Sequence, residues 1–138
     1  MENLHNVIDR LTALKAQSIS SDTTTVGETI DRADAESVGF AISFGAVTDG
    51  TYQMQVFEGD ESDMSDETKV AAANILGDKY DSAESPSEGD IYVFGIASPT
   101  KRYARTKIVS ASVTAGAFCA GIAELANLRA SLATDRNP

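Results

Sequence analysis

The chain has 138 residues, 42% of them apolar, and a formal net charge of −10. That length supports one domain with its own core, and the apolar share separates it from disordered chains. The charge argues against direct binding of DNA or RNA phosphate, the absence of any run of about 18 apolar residues argues against a membrane-spanning helix, and a single cysteine, Cys119, excludes an intrachain disulfide.

Residues 1–22 form a zone of their own. Leu4, Val7, Ile8, Leu11 and Leu14 fit a helical stripe, and Ser18 to Thr25 interrupts it. The expectation is an N-terminal arm or short helix, packed on the body or docked on a neighbouring subunit. The start also lacks the charged-then-apolar pattern of a signal peptide, so synthesis is expected in a cytosol.

Thr23 to Ile30 is β-branched and suits a strand, and Asp31 to Asp34 reads as a polar turn. Val38, Phe40, Ile42, Phe44 and Ala46 then recur at every second residue, as do Tyr52, Met54 and Val56. Strand side chains alternate faces, so each segment lays an apolar row on one side. Thr48-Asp49-Gly50 between them predicts a β-hairpin, because Gly accepts the positive φ of a tight turn.

An acidic loop, Glu58 to Glu67, follows, and Lys69 to Leu76 reads as a short helix or extended connector. Gly77 to Gly89 is a polar loop. Ile91 to Ala97 is apolar enough for a central strand. Tyr103 to Ser110 alternates, with Tyr103, Arg105, Lys107 and Val109 on one face. Ala117 to Leu125 is a last strand of small residues, and the tail from Asn127 looks loosely structured. Short strands with turn signals and no strand–helix alternation predict an all-β, two-sheet antiparallel β-sandwich. The domain reading is an arm (1–22), a sandwich (23–128) and a C-terminal tail (129–138).

Reactive chemistry finds little footing. The one histidine, His5, has nothing nearby to orient it as a general base. One His and one distant Cys cannot supply a zinc site, and Cys119 in AGAFCAGIA reads as a small buried hydrophobe. The glycines are spread through strands and turns instead of gathering before a helix as a phosphate loop would. The acidic loop could offer carboxylates to Ca²⁺, but lacks EF-hand spacing. No enzymatic activity, cofactor or metal is expected. Charge is distributed unevenly: Lys101, Arg102, Arg105 and Lys107 form a basic stretch without an acid, while residues 58–90 are rich in acids. In a sandwich the two could sit on different faces, the bases toward an acidic protein partner.

Several segments together resemble the small head-decoration, or capsid cement, proteins of tailed bacteriophages. They are E-S-V-x-F-x-I-x-x-G over residues 36–45, T-D-G at 48–50 and F-E-G-D-E-S-D-x-S-D-E over 57–67. Leu76-Gly77, the K-R-Y-A-R strand at 101–105 and the final small-residue strand complete the set. The resemblance spans about residues 23–128. It implies a jelly-roll type of sandwich with no catalytic residues. It also implies a virion protein, made in the host cytoplasm, that sits on the outer capsid surface and cements subunits of the major capsid protein. Monomer, dimer and trimer stay open, with a homodimer expected because closed two-fold association is the commonest self-pairing; charge and hydropathy predict no direct nucleic acid and no membrane. Candidate contacts are Leu4, Ile8, Leu11, Lys101, Arg102, Arg105 and Lys107. The alternative is a carbohydrate- or calcium-binding β-sandwich module on a virion or cell surface. The absence of Trp lowers the sugar arm, since sugar platforms use aromatic faces.

Overall fold

A computed structural model describes residues 8–33, 35–77 and 79–126. Its strands are β1 (Ile8–Ile19), β2 (Thr24–Val26), β3 (Ile30–Asp31), β4 (Ser37–Val47), β5 (Thr51–Gly59), β6 (Thr68–Lys69), β7 (Ile75–Leu76), β8 (Ala83–Glu84), β9 (Ile91–Ile96), β10 (Tyr103–Ala111) and β11 (Ala117–Ala126). They form two antiparallel sheets. Sheet I has the order β1-β11-β4-β9-β7; sheet II runs β2-β10-β5-β6, with β3 on β10 and β8 on β5. The chain passes back and forth between the sheets, β1 in I, the short β2 and β3 in II, β4 in I, β5 in II, β9 in I, β10 in II and β11 in I, and each sheet joins strands far apart in sequence. This is the double Greek key of a jelly roll. In place of one long fifth strand the chain makes the short β6 and β8 on β5 of sheet II and, between them, a 3-10 turn (Ala72–Asn74) and the short β7 on β9 of sheet I.

The predicted hairpin is not one. β4 pairs with β11 and β9, and β5 pairs with β10, β6 and β8. The Thr48-Asp49-Gly50 link is an arch that carries the chain from one sheet to the other. Both geometries satisfy the same period-2 pattern. In the arch the two apolar rows cover each other, whereas in a hairpin they would share one face and need a third element. Phe44 and Tyr52 meet across the sandwich with ring centroids 5.4 Å apart. Val38, Phe40, Ile42, Tyr52, Met54 and Val56 are all buried. Gly50 has φ +99°, as the turn demands. The Asp49 carboxylate then accepts N–H bonds from Thr114, Ala115 and Gly116 at 2.9–3.1 Å, tying the arch to the β10–β11 loop. Those backbone donors hold its pKa below the usual carboxylate value. Ala46, expected in the buried row, is exposed, because the alternation changes phase after Phe44, beside a register shift in the β4–β11 ladder.

The helix expected across Leu4–Leu14 is overturned for the described part: residues 8–19 are β1, an edge strand of sheet I on β11. Two bulges, between Thr12 and Leu14 and between Leu14 and Gln17, shift its phase. They leave Ala13 and Leu14 buried in succession, and such spacing imitates a helical stripe. Leu4 and Val7 lie outside the described residues.

Candidate functional site

Two outward faces compete for a function. The outer face of sheet II carries the basic strand β10. Arg105 and Lys107 point outward as expected, but both reach Glu67 of the acidic loop, at 2.9 and 2.6 Å. Lys107 also lies over the Phe57 ring, 4.1 Å from its centroid. Lys101 pairs with Asp60 at 3.2 Å, and Arg102 makes a bidentate pair with Asp31 at 3.0 Å. So the acids and bases do not sit on separate faces; the acidic loop folds over the basic strand. Arg105, Lys107 and Glu67 keep only about a fifth of their side-chain surface in solvent. Burial pushes the Glu67 pKa up, but bonds from Arg105 and Lys107 outweigh it and the net direction is down.

Two further acids of the loop, Asp63 and Asp66, are also engaged. Asp66 accepts from the backbone of Asp60 and Glu61, and Asp63 from Ser65. Among the described residues, no group of three or more His, Cys, Asp or Glu side chains is placed to hold a metal. Asp81 binds Gln53, Gln55 and Lys69 at 2.7–2.9 Å and completes a charge-balanced polar face. Cys119 is buried and burial pushes its thiol up to about 11, so it is a poor nucleophile at neutral pH.

The outer face of sheet I is the opposite in character. Its outward residues follow from register and alternation. One row across four strands is Thr12, Ile122, Ala41 and Val93; the next is Ala120, Ser43 and Ile91; the one on the other side is Arg10, Glu124, Gly39, Gly95 and Leu76. Phe118 lies over Gly45 at the far end. Ile91, Val93 and Leu76 are more than 60% exposed, and Phe118 and Ile122 more than 40%. The sole ion pair in these rows is Arg10–Glu124 at 3.5 Å.

Relief across this face alternates by strand. β11 raises a ridge of Phe118 and Ile122, and β9 with β7 raises another of Ile91, Val93 and Leu76. Between them β4 presents Gly39, Ala41, Ser43 and Gly45 as a trough. An added side-chain carbon at Gly39 or Gly45 would meet only ordinary contacts, none closer than 3.7 Å. None of the described residues requires these glycines, although Gly in a strand costs about 0.5–1 kcal/mol relative to Ala. A small trough floor suits the close approach of another surface. At its end a groove of about 390 Å³ is lined by Gly39, Gly95, Leu76, Val93 and Glu124.

Of the residues singled out from sequence, Leu4 is outside the described set and Ile8 opens β1. Leu11 lies on the inward phase of β1, level with Ala123, and is 37% exposed. None of the exposed residues of the trough and ridges was singled out. Their signal was present: IYVFGI and AFCAGIA are apolar at both parities, and a strand apolar on both faces is one buried on both faces.

No protein-family model and no curated protein sequence matches the chain. Solved structures that resemble it include that of infectious bursal disease virus Gx strain, at TM-score 0.48 and 13% identity over 87% of this chain. The chain spans about a third (33%) of the length of that protein. A superposition at that score and identity assigns no function.

Proposed function

We propose that this chain is a structural virion protein that binds the outside of a phage capsid and cements neighbouring major capsid protein subunits. The observation that carries the reading is the exposed apolar outer face of sheet I, a surface for contact with the shell or between the copies that bridge it, on a jelly roll whose basic strand is paired with its own acidic loop. A contiguous exposed apolar surface of this kind marks a protein-binding site. The charge of −10 keeps decorated particles from self-association, and many weak contacts on one shell multiply into firm attachment. A protein that binds the assembled shell better than its free parts stabilises the shell by that difference.

The test uses expanded heads lacking this protein, from the phage whose genome carries its gene. Added protein should co-sediment with the heads and raise the temperature at which they rupture. Heads that sediment without it, or that carry it with no change in rupture temperature, overturn the cementing role. The calcium- or carbohydrate-module alternative would instead show a micromolar calorimetric heat with Ca²⁺ or a glycan. The internal engagement of Asp60, Asp63, Asp66 and Glu67 argues against the calcium arm.

A further inference from the structure

We infer that the outer face of sheet I is closed by a second copy of this chain, back to back, in a two-fold dimer. The inference deepens the cementing role and rests on it for its biological use, but not for its geometry.

Four observations favour a copy over another occupant. The first is complementarity of relief. Counting from the edge, the outward face runs small on β1 (Thr12), large on β11 (Phe118, Ile122), small on β4 (Gly39, Ala41, Ser43, Gly45) and large on β9 (Ile91, Val93). A two-fold axis along the strands, between β11 and β4, lays β11 of each copy over β4 of the other and β9 over β1. Large then meets small at Ile122 over Ala41, Val93 over Thr12 and Phe118 over Gly45; Ala120 over Ser43 is small on small, and the paired Arg10 and Glu124 lie over Gly95 and Gly39. A two-fold contact must be self-complementary in this way, and aligned sheets pack with their side chains interdigitated about 10 Å apart.

The second is charge. Each copy carries −10, so association needs a patch that buries no like charges. The three rows hold one acid and one base, already paired within the copy. The third is area. Four strands spaced about 4.8 Å apart, over seven residues at about 3.3 Å each, give a footprint of roughly 440 Å² per copy. Side-chain relief and Leu76 bring the pair near the roughly 1,000 Å² that a specific interface needs. The fourth is the edges. The β1 edge is broken by two bulges and carries Lys15 and Gln17, which protects that edge of sheet I against edge-to-edge pairing.

A back-to-back dimer exposes two copies of sheet II and of both loop ends, pointing apart. Such a particle is bivalent by construction. One dimer can hold two neighbouring shell subunits, and the second attachment occurs at high effective concentration. The interface is small and apolar, so the dimer is expected at a Kd of about 1–10 µM. Because two like-charged copies repel, added salt should tighten the dimer.

Sedimentation equilibrium of the whole chain over a concentration series tests this, with head co-sedimentation measured in parallel. The native protein should reach twice 14.5 kDa, more readily at higher salt. Ile122→Glu and Ala41→Glu, one on the ridge and one in the trough, should each weaken the dimer about 100-fold or more, because each buries an unpaired charge. Circular dichroism identifies any variant that fails to fold, and the other then stands in for it. A monomer at all concentrations overturns the dimer, as does a dimer indifferent to both folded variants. If the native chain is monomeric and Ile122→Glu abolishes head binding, the face belongs to the shell: the dimer falls and the cementing role stands. If a dimer forms but heads never bind it, the cementing role falls and the dimer stands.

Discussion

Glu67 shows how much a single side chain settles in this fold. It receives Arg105 and Lys107 together and fastens the acidic loop to sheet II. Glu67→Gln leaves two largely buried cations without their counter-charge, and this should cost about 1–3 kcal/mol in urea unfolding at neutral pH. The pH dependence has a definite sign. Its folded pKa lies below the ordinary glutamate value of about 4.5, so the stabilisation is complete above that value and lost as pH falls through the folded pKa. The difference in stability between native protein and Glu67→Gln should therefore shrink on acidification below 4.5. A constant difference from pH 7 to pH 3 would remove Glu67 as an ionised clamp. The basic stretch 101–107 was legible in sequence, and so was the outward face of β10. That its charges are answered from the same chain was not legible, because partners 38 to 71 residues away are set by topology alone.

At the scale of elements, periodicity identified strands and misjudged how two of them are used. Alternation in β4 and β5 establishes which side chains share a face, but says nothing of which strand lies alongside. A hairpin and an arch differ only in the twist of residues 48–50 and in who pairs with whom. Met54→Ala tests the burial of the inner row that either arrangement demands. In the arch Met54 is fully buried between the sheets, and the truncation should cost about 2–5 kcal/mol. The N-terminal zone was misread for a different reason. Bulges in β1 break the period of two and place Ala13 and Leu14 inward in succession. The consequence is testable: removing residues 1–19 should abolish folding, since it strips the edge of β11 and uncovers Ala123 and Gly121. A truncated chain with native circular dichroism would make the segment the dispensable arm that its sequence first resembles.

For the molecule as a whole, the all-β sandwich was legible because short strands, turn residues and the lack of long helical periods leave few other architectures. The working surface was not. Ile91 to Ala97 read as apolar enough for a central strand, and that is half right. One face packs on Phe40 and Phe44 through Phe94 and Tyr92, while Ile91 and Val93 stand in solvent. Apolar residues on both parities thus recorded a contact that a single copy of the chain does not make. The account rests on that surface meeting its own copy, large against small. Sedimentation equilibrium of Ala41→Ile, Ile122→Ala and the double variant tests it most directly. Each single change should weaken the dimer, one by overfilling the trough and the other by lowering the ridge, and the double change should restore much of the native affinity. Single and double variants that weaken the dimer additively, or a native chain that never exceeds 14.5 kDa, would contradict it.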